Sequence, residues 1–451
     1  MPTPITPPRR ERPRRVHHRS TRPRLEVLED RQLLSTLEGA QWAHGGRITY
    51  SFVPDGTSVG GIPSALYQTL NGSFPTATWQ TAIEKAAAVW QAVANINLAL
   101  VPDNGEAIGA AGDQQGDPNV GDIRIGAIPE PSGTLAYALL PPPYNGGTNS
   151  GDIFLNSNQN FGTSGFDLET VAIHELGHAL GLGHSTVNAA VLYATYGGIK
   201  QTLNADDSGG LQQVYGAVPA DPVNNSASNT ATNLNASINA NLQIAVSGAS
   251  IANSGDYDWY SVTVPKNTTG TMTVTLQSSN LSSLSPRLTV YNGNGVGLGQ
   301  ATSTAYGATV SYSVSNVAAG QVYYLRAGSS TTGPGASGAY ALLVNFGSSA
   351  QAVAAAPSTV VLSQPDKGGG SSQLSGGSSS GLGGLLGGAL GLVGSVLNDL
   401  HQIVLGTMTA WGESLTVGPG GAHPHHMNKH ARHAEVGGTV GPRAGLPRHH
   451  V

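Results

Sequence analysis

One stretch constrains this chain more than any other: His174-Glu175-Leu176-Gly177-His178-Ala179-Leu180-Gly181-Leu182-Gly183-His184-Ser185. His174 and His178 are four residues apart, so on a helix they project from one face, one turn apart. Two neutral imidazoles placed this way can share one zinc ion. Glu175 follows the first imidazole, where its carboxylate can reach a water on that ion. Gly181 tolerates the positive φ of a helix C-cap, and Leu182-Gly183 then brings His184 back as a third ligand. Three protein ligands leave the fourth vertex open, which marks a catalytic site rather than a closed structural one. A helix with two surface histidines would not also require Glu175, Gly181 and His184 at these positions.

With these residues in view, the chain resembles the metzincin metallopeptidases, and within them the matrixin-like branch, from about Leu37 to Gly216. Local patterns agree with the resemblance. Residues 47–52 alternate like a first strand, and 79–93 carry Trp79, Ile83, Ala86, Ala87, Trp90 and Val93 at helical spacing. Residues 96–101 and 122–125 read as further strands, and Asp167 as the N-cap of the histidine helix. Residues 206–216 read as a closing helix. The resemblance implies an α+β domain with a twisted mixed sheet and a long zinc helix. It implies His174, His178 and His184 as zinc ligands and Glu175 as the catalytic base. It also implies that Gly151–Asn156 is an edge strand bordering the substrate cleft, with Ile153 and Leu155 beside the substrate.

The sequence departs from that family at several points. Leu192 stands where the family has a methionine beneath the zinc; leucine has similar volume, and such swaps usually cost less than about 1.5 kcal/mol. By resemblance Leu192 and Tyr196, with Thr195, border the specificity pocket. The region from Leu135 to Phe154 has no histidine, so no structural zinc is expected there. Calcium has weak support: Asn156 and Gln159 are neutral where acidic ligands are expected, leaving Asp152, Asn145 and carbonyls, for which loop solvation is the simpler role. The chain has no cysteine, so it can form neither a cysteine switch nor a disulfide, and no propeptide is recognised before Leu37.

With 451 residues, several domains are expected; Gly 62 and only 10% charged residues suit an exported protein with polar β structure and flexible linkers. A net charge of −5 gives no ground for a nucleic-acid partner. Residues 1–36 are basic and Pro-rich, and read as a disordered leader without the apolar core of a secretory signal. Within them Leu25-Glu26-Val27-Leu28-Glu29-Asp30-Arg31-Gln32-Leu33-Leu34-Ser35 resembles a leader motif of large planctomycete surface proteins. The peptidase-like domain is expected over 37–217 and a linker over 218–240.

Short strands separated by Gly, Asn and Ser turns over 241–347 argue a β-sandwich. This unit resembles the bacterial pre-peptidase C-terminal (PPC) domain through residues 256–260, 286–291 and 320–324, and Asp256 and Asp258 there offer either calcium ligands or turn caps. A low-complexity tether follows over 348–380, then an apolar, glycine-rich segment over 381–412. Residues 381–405 could associate with an envelope or membrane, although glycines and Asn398, Asp399 and His401 interrupt them. Residues 413–451 read as a His-rich disordered tail.

The expected protein is a multidomain, extracellular or surface-bound bacterial zinc endopeptidase acting on protein or peptide substrates. Its rival is a surface adhesion or scaffold protein that keeps a zinc site of little or no activity.

Overall fold

A computed structural model of the protein describes residues 37–347, apart from 163, 164, 222 and 269, together with residues 412–416. The leader, the tether, the segment 381–405 and the tail after Thr416 lie outside those residues. The first region contains β1 (Ile48–Phe52), a small hairpin of β2 (Ser58–Val59) and β3 (Ile62–Pro63), α1 (Leu66–Asn71), α2 (Thr76–Gln91) and β4 (Leu98–Leu100). It continues with β5 (Ile123–Ile128), β6 (Thr134–Leu139), β7 (Ile153–Asn156), α3 (Leu168–Ala179) and α4 (Ala205–Tyr215).

α2 starts after Pro75 and buries Trp79, Ile83, Ala86, Ala87 and Trp90, the apolar stripe of its sequence. That stripe packs on α3 and on the inner face of the sheet in a single core. Trp90 adds a polar tie, donating Nε1–H to the Ile173 carbonyl at 2.8 Å. α3 begins at Asp167, whose side chain accepts the Thr170 N–H at 2.8 Å.

The sheet runs in the order β17-β6-β7-β5-β1-β4, where β17 is Gly412–Thr416. Strands β4, β1, β5 and β7 are parallel, and β6 lies antiparallel against β7. Two expectations are corrected here. First, β7 is interior, flanked by β5 and by the antiparallel β6, which is itself flanked by β17. The pleat turns Ile153 and Leu155 into the core shared with α3, at 2% and 1% exposure, while Phe154 faces the opposite side. Second, the chain around residue 413 does not remain an unstructured tail: Gly412–Thr416 pair antiparallel with β6.

A buried ion pair braces the loops behind this sheet. Arg124 donates Nε–H and an Nη2 proton to Asp103 at 2.9 and 2.8 Å, and both side chains are essentially inaccessible. Arg124 also donates to the Glu106 carbonyl, and Asp103 accepts from the Ser51 hydroxyl at 2.7 Å. Asp152, expected in a solvated loop, is instead fully buried; it accepts the Arg124 backbone N–H, and burial pushes its carboxyl well above the usual range.

The second region is β-rich: β8 (Thr232–Asn233), β9 (Gln243–Ile251), β10 (Tyr257–Thr263), β11 (Thr271–Gln277), β12 (Pro286–Asn292), β13 (Gly297–Thr302), β14 (Thr309–Ser315), β15 (Val322–Ser329) and β16 (Gly338–Asn345). They form one sheet ordered β13-β12-β15-β10-β8 and another ordered β14-β11-β16-β9, with one apolar core between them. Sequence reading missed β9 and β13 because Gly, Ala and Ser dominate them and imitate turns.

This region closes the β4 edge of the first sheet. Gln91, 2% exposed, donates to the Ser337 carbonyl at 2.6 Å and accepts N–H groups from both Leu98 and Ser283. The Ser283 hydroxyl donates to the Leu98 carbonyl, and Asn97 Oδ1 accepts the Ala339 N–H.

Two measurements check these packing arguments. Asp103→Ala strands the Arg124 charge in the interior and should cost about 3–5 kcal/mol in urea denaturation. In the second region, burial raises the Asp258 carboxyl from 3.8 to about 7, and the Tyr340 hydroxyl donates to it at 2.5 Å. Because the folded value is the higher one, stability should fall as pH rises from about 4 towards 7. Asp258→Asn should flatten that window in pH-dependent unfolding.

Candidate metal centre

His174 and His178 lie on α3, both at 0% exposure, and His184 follows the helix on the connecting loop. Gly181 ends the helix with φ +100°, and a Cβ there would run into the Ala40 carbonyl oxygen. The turn therefore depends on glycine both for its backbone angle and for space. It delivers His184 to the other two rings, whose centroids lie 5.5 Å (His174) and 4.8 Å (His178) away. One nitrogen from each imidazole lies within 4.8 Å of the others.

The hydrogen bonds fix which nitrogens face the centre. His174 Nδ1 lies 2.8 Å from the Val191 carbonyl and His178 Nδ1 lies 2.7 Å from the Leu182 carbonyl. A carbonyl only accepts, so each Nδ1 carries a proton and each ring turns its Nε2 inward. Those two Nε2 atoms are 2.9 Å apart. A cation held by both would sit between these two nitrogens. Burial, with His184 a lesser contributor, lowers the His174 pKa to about 3, so this ring stays neutral and able to ligate. Donor type and number fit zinc, which His174, His178 and His184 would hold.

A second layer orients these ligands, and sequence reading did not identify it. Asp207, at 0% exposure on α4, accepts the N–H groups of Val191 and Leu192 at 2.9 and 3.1 Å. It thereby holds the turn whose Val191 carbonyl orients His174. Asp206 accepts the hydroxyl of Ser185, whose own N–H donates to the Leu192 carbonyl at 2.8 Å. The available signal was an Asn204-x-x-Asp207 capping box, which the structure forms at the start of α4.

The other expected site residues divide between core and rim. Glu175 is on α3, next to His174 in the chain and at 0% exposure. Leu192 is also at 0% exposure, beneath α3: a Cβ on Gly177 would come within 2.7 Å of its Cδ2. It acts as a floor to the helix. With Ile153 and Leu155 it belongs to the core rather than to an open pocket wall. Tyr196 is half-buried near the start of α3, accepting the Asp167 N–H at 3.1 Å and meeting Phe166 edge-on. In the β-rich region Asp221, Asp256 and Asp258 lie together, but Asp256 accepts the Ala252 N–H and Asp258 the Tyr340 hydroxyl, the local partners of turn and core carboxylates.

Residues 65–216 match the matrixin family. Karilysin of Tannerella forsythia is 44% identical over 87 residues, covering 19% of this chain and 18% of that protein. Metalloendoproteinase 2-MMP of Arabidopsis thaliana is 36% identical over 143 residues, 29% of this chain and 35% of that one. Human matrix metalloproteinase-20 is 46% identical over 90 residues, 19% and 18% of the two chains. The chain thus spans between 18% and 35% of the length of these relatives. The matrixin match takes in α1 to α4 and all three histidines. The structure extends the same sheet N-terminally through β1, and Trp42 donates Nε1–H to the Ala179 carbonyl at the end of α3.

The Asp207 carboxylate supports the centre by holding the 191–192 turn. Asp207→Ala should therefore weaken zinc binding about 10–100-fold in competition with a calibrated chelator, below the unfolding temperature.

Proposed function

We propose that this chain is a zinc-dependent endopeptidase that works outside a bacterial cell or on its surface. The convergence of three buried or half-buried imidazoles, one nitrogen of each within 4.8 Å of the others, is the observation that carries the reading. His174, His178 and His184 hold the metal. When bound, zinc polarises the scissile carbonyl and acidifies a water. Glu175 accepts the proton of the attacking water and delivers it to the leaving nitrogen. An extended substrate adds to the sheet along β6, its backbone pairing with an antiparallel strand that runs beside α3. Thr195 and Tyr196 stand at the rim beyond the Leu192 turn and contribute to side-chain selection.

The β-rich region is read as a PPC-type domain on residues 256–260, 286–291 and 320–324. Gln91 and Ser283 fasten it to the back of the matrixin region, remote in the sheet order from β6. Export is supported by the composition and by the leader-like motif at residues 25–35. Among the described residues no helix is long and apolar enough to cross a membrane.

Peptide-library cleavage, with zinc quantified in the same sample, tests the reading. The wild-type chain should carry one zinc, lose cleavage to a chelator and recover it when zinc is restored. Glu175→Ala should retain the zinc and lose about 10²–10⁴-fold in rate. Undiminished cleavage by that variant would place the base elsewhere.

A further inference from the structure

The outer edge of β6 is already taken by the chain itself. Gly412–Thr416 lie antiparallel to it, with Glu413 opposite Ala138, Ser414 opposite Tyr137 and Leu415 opposite Ala136, and an irregularity before Thr416. Leu415 is 2% exposed and joins the core that packs α3. Across the sheet it lines up with Ala136 and then Leu155, on the helix side. Both β6 and β17 run alongside α3, the helix bearing His174, Glu175 and His178. Residues 348–411, if extended, would span on the order of 200 Å. The length of that connection therefore does not force the pairing; backbone hydrogen bonding and the seat for Leu415 do.

A strand edge offers one row of N–H and C=O groups and accepts one partner at a time. The opposite edge, β4, is closed by Gln91 and Ser283, so β6 is where an extended peptide would add. We propose that Gly412–Thr416 is a built-in occupant of the substrate edge: the chain blocks itself, and release of this segment opens β6 to an extended peptide with an apolar side chain in the Leu415 seat. This rests on the endopeptidase reading for the identity of the displaced ligand, but the occupancy itself is independent of catalysis. A segment of the same chain competes as an intramolecular ligand, an advantage that free substrate must overcome. Leu415 supplies the apolar anchor, and an aspartate there would leave a charge without a solvated place in the core.

The test compares the full-length chain with its full-length Leu415→Asp variant, both carrying Glu175→Gln so that no probe is consumed. Hydrogen exchange of residues 134–139 is measured by mass spectrometry. Binding of a fluorescent peptide of residues 410–418 (Ala-Trp-Gly-Glu-Ser-Leu-Thr-Val-Gly) is measured by anisotropy. Leu415→Asp should speed exchange at 134–139 at least about tenfold, leave β1 and β5 unchanged, and bind the probe at least about tenfold more tightly. Unchanged exchange or equal probe binding overturns the proposal.

If the aspartate also loosens β1 and β5, the double variant Glu413→Pro/Ser414→Pro replaces it. Neighbouring strand residues point their N–H groups to opposite sides, so the pair removes a donor facing β6. Library cleavage by both chains with Glu175 restored then separates the two readings. Faster cleavage by Leu415→Asp, through a lower KM, joins them. Cleavage equal in both chains overturns self-blocking, and absence of cleavage in both overturns the peptidase assignment while exchange and probe binding still decide the occupancy.

Discussion

The site depends on two carbonyls that point at the wrong side of two histidines. Val191 and Leu182 accept hydrogen bonds from Nδ1 of His174 and His178, which turns both Nε2 atoms inward, 2.9 Å apart. Each carbonyl has its own support. Leu182 is placed by the turn at Gly181, which has room for no larger residue, and Val191 by the Asp207 carboxylate. The orientation of the two rings is therefore set by backbone carbonyls, and α4 supports it as well as α3.

The sheet that carries α3 has a management problem at both ends. The five strands β6-β7-β5-β1-β4 by themselves would expose two rows of unpaired backbone groups. On one side the β-rich region supplies Ser283 and receives Gln91 against β4. On the other, a five-residue strand from near the C-terminus covers β6. The two covers differ in kind. The first is made by buried side chains of two packed regions. The second is a short strand, separated by residues 348–411 from the β-rich region, that places Leu415 in the core beside α3.

The candidate site was legible in sequence wherever function demands a fixed local spacing. The positions of His174, Glu175, His178, Gly181 and His184 follow from helix periodicity and the need for one turn of positive φ, and Asp167 follows from capping chemistry. The strands of the β-rich region were readable where β-branched and aromatic residues alternate, as at Thr271–Gln277 and Pro286–Asn292. Residues Thr134–Leu139 were not read as a strand, although five of the six side chains are buried. Nothing local distinguishes a short apolar run in a strand from one in a packed loop until its partner is known.

What the sequence determined by itself is the chemistry: three imidazoles, a carboxylate and a glycine turn, all within a single helix and its exit, where spacing along the chain is spacing in space. What only the tertiary structure decided is access and orientation. That β17 pairs with β6 while β7 is interior, that Asp207 braces the 191–192 turn, and that Leu415 sits in the core beneath α3 all join residues far apart in the chain. Strand order and edge occupancy are set by which backbone rows find partners, and hydrogen bonding between distant segments leaves no periodic trace in either one.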